Sequence, residues 1–285
     1  MGAANDQQDL RAGLHSMWGS VATGWAEHAD FVDGRAQALT DRLLELAAPQ
    51  SGDRVLELAC GPGGLGLAAA ERVAPGGEVV LSDIASEMTQ IAAKRAEALG
   101  LDNVTTVVLD IESIDQPDVA YDVVLCREGL MFAVDHGQAA REIRRVLRPG
   151  GRVALAVWGP RERNPWLGAV LDSVSAQVGA PVPPPGIPGP FALEDAAVLE
   201  TLLSDAGLAD VSVGEVPVPL HVASFEEWWS RTIALAGPIS KMLALLPEDA
   251  ARALEARARE AVKPYETAGG LEFPGVSLVA SARVA

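Results

Sequence analysis

Between residues 51 and 158, short β-branched runs alternate with longer amphipathic stretches, and that alternation limits the fold more than any other feature of the chain. Arg54 to Ala59 reads as a strand, Leu65 to Val73 as a helix, Glu78 to Asp83 as a strand, and Ser86 to Leu99 as a helix closing on Gly100. Val104 to Leu109, Tyr121 to Cys126 and Arg152 to Trp158 read as further strands, and His136 to Leu147 as a helix ended by Pro149-Gly150-Gly151. The strands are apolar almost throughout. This predicts burial on both faces of a parallel sheet with helices on either side, an α/β doubly wound arrangement.

The first of these strands runs into a glycine loop, VLELACGPGGLG (Val55 to Gly66), where Gly61, Gly63 and Gly66 satisfy the G-x-G-x-x-G spacing. Such glycines let a ligand approach the backbone, but the spacing alone does not choose the ligand, and a tight turn with no ligand is the plain alternative. Charge narrows the choice. A pyrophosphate needs a helix N-terminus free of carboxylates, whereas Glu57 lies two residues inside the strand, near its ligand-facing end. S-adenosylmethionine carries a sulfonium and an ammonium, for which an acid there is favourable. Asp83 ends the second strand, placed to accept from both ribose hydroxyls, and Asp110 ends the third in VVLDIES (Val107 to Ser113), placed to accept from an adenine amino group. The three acids form a row along the carboxyl edge, where open α/β sheets bind ligands.

The chain has 285 residues with 22 Lys plus Arg against 39 Asp plus Glu, a net charge of -17. That field repels nucleic acid and anionic membrane, so neither is an expected partner. Cys60 and Cys126 are too few for a disulfide framework, a four-ligand zinc site or thiol-based arsenic chemistry. The N-terminal MGAANDQQDL lacks the features of a signal peptide, and no uncharged apolar run is long enough to span a bilayer. A cytoplasmic protein with no metal, monomeric or homodimeric, is expected.

Residues 7 to 48 read as two helices, the second from Ala36 to Leu46. A helix near Trp166 to Val178 precedes a Pro-rich surface loop, Ala180 to Phe191. Glu194 to Ala206 reads as a helix, Val211 to Val216 as a strand, Phe225 to about Tyr265 as two or three helices, and Val276 to Val284 as a closing strand. One domain is expected, with an N-terminal helical cover (1–50), a cofactor-binding core (51–158), a lid and substrate region (159–270) and a closing strand (271–285).

The strand-end acid and glycine loop, Asp83, the Asp110-Ile111 pair, YDVVLCREGLMF (Tyr121 to Phe132) and VLRPGGRVALAVW (Val146 to Trp158) together resemble the motifs of the class I S-adenosylmethionine-dependent methyltransferases. MWGSVATGWAEHAD (Met17 to Asp30) is similar to the opening of the branch that methylates carbon in ubiquinone and menaquinone biosynthesis. The resemblance covers about residues 15 to 160 and the final strand. It implies a Rossmann-like, seven-stranded, mostly parallel sheet with an antiparallel last strand and a helical lid, and S-adenosyl-L-methionine as cofactor. It also implies that Ala59, where many members have Gly, borders the methionine moiety with Gly61 and Gly63, and that Glu57 reaches its ammonium through water. By the same resemblance, Asp83 holds the ribose, Ile84 and Met88 flank adenine, Asp110 and Ile111 read its edge, and Arg127 and Trp25 join the cofactor site. Met88 as plain core, and Arg127 with Glu128 as a surface ion pair, are the bland alternatives.

Methyl transfer is an in-line displacement, for which a protein aligns the acceptor, excludes water and, for a weakly acidic acceptor, removes a proton. Candidate bases are His15, His28, Glu128, His136 and His221. Glu128, just past the fourth strand, is the first choice for a polar contact to the acceptor, and His221, before a Trp-bearing helix, the second. His136 reads as a helix cap. Of six Trp, five Phe and two Tyr, all but Tyr121, Phe132 and Trp158 fall outside residues 51 to 158. Some of these rings pack the lid, and the others suit the walls of a site for a small, largely hydrophobic or aromatic acceptor methylated at O, N or C. An NAD-dependent oxidoreductase with the same glycine loop, and a protein that binds S-adenosylmethionine without catalysis, are the competing readings.

Overall fold

The computed structural model describes residues 2–285 apart from 185, 237, 238, 241, 242 and 244. Its main sheet contains β1 (Arg54–Leu58), β2 (Glu78–Asp83), β3 (Val104–Val108), β4 (Tyr121–Arg127), β5 (Leu147–Trp158), β6 (Ala209–Pro217) and β10 (Val276–Arg283). They lie side by side in the order β3-β2-β1-β4-β5-β10-β6. β1 to β5 run parallel, and β10 runs antiparallel to both β5 and β6. This is the seven-stranded sheet with an antiparallel last strand that the family resemblance implies.

Alternation along the strands sends Val55, Val123 and Ala154 to one face and Leu56, Val124 and Leu155 to the other, each into its own hydrophobic cluster. Helices α4 (Gly64–Val73), α5 (Ser86–Ala98), α6 (His136–Val146) and α8 (Ala196–Asp205) cover the faces with α3 (Gln37–Ala47). Caps set several starts: the Asp135 carboxylate accepts from Gln138 N at the head of α6, and Asp195 does the same for Ala197 and Val198 at α8. The N-terminal cover has three described helices where two were expected, because α1 (Gly2–Glu27) and α2 (Ala29–Arg35) break at His28 before α3.

The region beyond residue 158 divides differently from the expectation. Residues 196–217 belong to the main sheet as α8 and β6, so the lid is two segments. One is α7 (Pro165–Val178) with the Pro-rich loop. The other lies between β6 and β10 and holds α9 (Phe225–Leu235), helix Glu248–Val262 and a second, three-stranded sheet. That sheet joins β7 (Leu220–Val222), β9 (Gly270–Phe273) and β8 (Glu266–Thr267), so residues 271–273 are lid and the closing strand starts at Val276. Short strands of two to four residues carry no readable period, which is why the sequence shows helices here and no sheet. Trp228, Phe225 and Phe273 form the lid's own core with Leu254, Ala258 and Val262. No described helix is long and apolar enough to cross a membrane.

Asn164 joins lid to sheet. Fully buried ahead of α7, it donates through Nδ2 to Gly159 O and Val276 O and accepts at Oδ1 from Val276 N. Replacement by Ala would orphan buried backbone groups, so Asn164→Ala is expected to cost about 2–4 kcal/mol, read as a lowered midpoint in urea.

Candidate functional site

Because β6 runs parallel to β5 and β10 opposes both, the end of β6 and the start of β10 share an edge with the carboxyl ends of β1 to β5. Asp110, Asp83, Glu57, Arg127 with Glu128, Trp158, Ser277 and Val218 therefore follow one another along it.

The acids of the first half are bound to backbone. Asp83 Oδ2 accepts from Gly61 N at 2.9 Å and Oδ1 from Ala85 N at 3.0 Å. Burial raises the Asp83 pKa and these bonds oppose it. Gly61 and Gly63 have φ of 51° and 87°, the region that disfavours a side chain, and Ala59 holds 49°. Asp110 accepts from Glu112 N at 2.8 Å and keeps an accessible carboxylate, while Ile84 and Ile111 beside these acids stay half-buried. Arg11 of α1 pairs with Glu112, and Trp25 of the same helix lies over the glycine loop, its ring 3.9 Å from where a Cβ on Gly61 would stand.

Two expected contacts differ. Glu57 is 2% exposed and accepts from Gly66 N at 2.9 Å beneath the loop, so it props the first turn of α4. Its pKa is pushed up to about 8 by burial, with Arg127 opposing. Met88, also 2% exposed, packs with Val21 and Ala22 of α1 as core.

Arg127 and Glu128 do not pair with each other. The Arg127 guanidinium donates to Thr40 Oγ1 and Asp33 Oδ1 at 2.8 and 2.9 Å, and Asp33 is also held by Arg95, which donates to Pro62 O in the glycine loop. Asp33, Thr40 and Arg95 carry no signal in the sequence, because their partners lie tens of residues away. Glu128 stands at φ 58°, its backbone N–H on Ala156 O and its Oε1 accepting from Ser277 Oγ at 2.9 Å. Burial raises the Glu128 pKa, opposed by Arg35 and then Arg127. The next residue, Gly129, abuts the cofactor loop: a Cβ there would lie 2.4 Å from the Ala59 methyl.

The other candidate bases lie apart from Glu128. His221 sits on β7 with its ring exposed, opposite in sense to the buried Leu220 and Val222. Asp135, not His136, caps α6, while the His136 ring reaches Met131 O. His28 marks the α1–α2 break without a cap bond, and His15 on α1 lies near enough to Asp83 to favour its charged form. Of the lid aromatics, Trp228 and Phe273 are core, whereas Trp166 keeps accessible surface 5.1 Å from Trp158, the end of β5 that lies opposite Ser277. Both cysteines are free and buried, and no described His, Cys, Asp or Glu cluster could hold a metal ion.

The cradle fits S-adenosylmethionine: glycines at positive φ under Trp25, and acceptors for a diol and an amino group.

The buried acid under the loop makes stability depend on pH. Burial pushes the Glu57 pKa up to about 8 in the fold, while the unfolded side chain ionises near 4.5. Its contribution is therefore whole at low pH and lost as pH rises from about 4.5 to about 8. Thermal midpoints of the protein and Glu57→Gln should diverge in favour of Gln across that window and run parallel above it. Separately, Gly129→Ala should destabilise by about 1–3 kcal/mol through overpacking, and Ala59→Gly in the same chain should recover most of that in a denaturant double-mutant cycle.

A family model described as a methyltransferase domain matches residues 49–170. A ubiquinone/menaquinone biosynthesis C-methyltransferase from Ectopseudomonas mendocina is 36% identical over 158 residues, 55% of this chain and 61% of the relative. One of the same description from Ralstonia pickettii is 31% identical over 178 residues, 58% of this chain and 73% of the relative. The chain thus spans between three-fifths and three-quarters of these relatives. The fold is shared with the YcgJ protein of Bacillus subtilis, at a TM-score of 0.60 and 19% identity over 86% of this chain and 98% of that one. It is also shared with a SAM-dependent methyltransferase from Aquifex aeolicus, at 0.51 and 21% over 66% and 89%. On the strength of these relatives and of the shared fold, the chain belongs to the class I S-adenosylmethionine-dependent methyltransferases.

Proposed function

We propose that this chain transfers a methyl group from S-adenosylmethionine to O, N or C of a small, largely hydrophobic or aromatic metabolite. The supporting observation is the division of one sheet edge. Acids and glycine loop occupy the ends of β3, β2 and β1, aromatic rings occupy the end of β5 and the lid beside it, and Glu128 stands at the boundary, next in the chain to the Gly129 that abuts Ala59.

Asp83 would hold the ribose diol, Asp110 and Ile111 the adenine edge, and Ala59, Gly61 and Gly63 the methionine part under Trp25, with Arg127 supporting the loop through Asp33. S-adenosylmethionine supplies a methyl group on a sulfonium, which leaves as a neutral thioether when an acceptor attacks in line. Glu128 would take the proton that a hydroxyl or amine releases as it attacks, with Ser277 orienting the carboxylate. Desolvation suits Glu128 to this by raising its proton affinity. The relatives' descriptions favour carbon as the methylated atom and a quinone-biosynthesis compound as acceptor. That support is strongest over the cofactor half, since the family model ends at residue 170, ahead of most of the lid.

Calorimetry tests the reading. S-adenosylhomocysteine should bind in the micromolar range and NAD not at all; the reverse would make the chain an oxidoreductase, and cofactor binding with no labelled methyl transferred to any metabolite in a product screen would make it a binding protein. Asp83→Ala should weaken S-adenosylhomocysteine more than tenfold, in line with about 1.5–3 kcal/mol for hydrogen bonds to a charged group.

A further inference from the structure

Among the described residues, Arg35 is the one arginine withdrawn from the surface that has no carboxylate within ion-pair distance. Arg11, Arg54, Arg95, Arg127, Arg145 and Arg152, also half-buried, each have one within 4.0 Å. Arg35 instead donates through Nη2 to a neutral carbonyl, Val218 O, at 3.2 Å. Its guanidinium lies 4.0 Å from the Trp166 ring centroid and 5.1 Å from that of Trp158. Its Nε is buried with no hydrogen-bond partner, and so is Nε1 of Trp166 beneath it.

A buried cation with no counter-ion is costly, and so is an orphaned N–H. Here both occur side by side, in a chain with 39 acidic side chains available to pair. The surroundings are ordered, so loose packing is not the cause: Arg35 is seated at the end of α2, Val218 is tied back to Gly275 by its own N–H, and Glu128 is fixed on Ser277. Glu128 is the nearest acid that acts on Arg35, yet it stays beyond ion-pair distance with its Oε1 engaged elsewhere. Arg35, Glu128, Trp158 and Trp166 are each half-buried, so all four keep some accessible surface.

We propose that Arg35, with the indole N–H of Trp166, forms an acceptor subsite that takes an anionic oxygen, as a carboxylate or an ionised ring hydroxyl, on a methyl acceptor whose apolar body rests among Trp158 and Trp166. The subsite rests on the methyltransferase reading for its meaning, since Glu128 adjoins the Gly129 that abuts the cofactor loop, but its anion preference stands on Arg35 and the Trp166 N–H. A guanidinium over an indole face suits anion capture, because the ring supports the cation without neutralising it and the positive charge stays available to the ligand. Arg35 acts by binding and orienting the acceptor.

The test uses the full chain saturated with S-adenosylhomocysteine. Benzoate and 4-nitrophenolate are the charged probes, and benzamide and nitrobenzene their neutral counterparts, followed by calorimetry. At least one anion should bind tenfold or more tighter than its counterpart. Arg35→Met should abolish that preference while S-adenosylhomocysteine affinity stays within twofold, and Trp166→Phe, which keeps a ring and loses the N–H, should reduce it severalfold. Equal binding of charged and neutral probes, binding of none, or a preference that survives Arg35→Met overturns the proposal. If Arg35→Met does not fold, an unchanged preference in Trp166→Phe overturns it. Failure of S-adenosylhomocysteine to bind the unaltered protein counts against the methyltransferase reading instead, and the anion preference is then read on the protein alone.

Discussion

Two backbone N–H groups, of Gly61 and Ala85, converge on the carboxylate of Asp83 and tie the loop after β1 to the end of β2. The cofactor half is built on that tie. A carboxylate taken out of water must find donors or lose its charge, and here the donors belong to the turn that must be held open for a ligand. Glu57 repeats the device one layer down, accepting from Gly66 and fixing the head of α4. Asp83, the acid placed for a ligand, thus also shapes the loop, and Glu57 beneath it supports the helix that follows.

A second layer of electrostatics surrounds the first. Asp33 lies between Arg127 and Arg95, and Arg95 reaches the carbonyl of Pro62, so the N-terminal cover is fastened to the glycine loop by charge as well as by packing. α1 adds Trp25 above and Arg11 on Glu112. Side chains from the cover therefore meet the loop from outside the sheet. Arg35 stands close to Asp33 in sequence and faces the other half of the edge. Neighbouring residues of one short helix serve the two halves, one neutralised and one not. The net charge excludes polyanionic partners from the surface as a whole, yet Arg35 sets a positive charge against the Trp158 and Trp166 rings, so a global field and a local one need not agree.

The main sheet was legible in the sequence because buried parallel strands such as β1, β2 and β4 write themselves as largely apolar runs of five to seven residues between glycine and proline punctuation. Tyr121 to Cys126 and Glu78 to Asp83 are found nearly as read. The small lid sheet was not, since β8 is two residues long and its partner follows a Gly-Gly turn that reads equally well as a loop. Within the site, Asp83 and Asp110 were legible by standing at strand ends. Ser277, Asp33 and Arg35 were not, because their meaning lies in partners 149, 94 and 183 residues away. Met88 and Glu57 show the converse: residue type and position suggest a ligand contact, while burial assigns them to packing and loop support.

Val218 N–H donates to Gly275 O where the long lid segment leaves β6 and returns to β10. Its two ends are thus clasped side by side on the sheet edge. A segment anchored in this way asks little of the chain that carries it, since its closure entropy is met by a junction belonging to the sheet and not to the segment. Such a cassette can be lengthened, shortened or exchanged with small effect on the grip at β1 and β2. In a scaffold of this design, acceptor choice is free to diverge while the methyl donor stays the same.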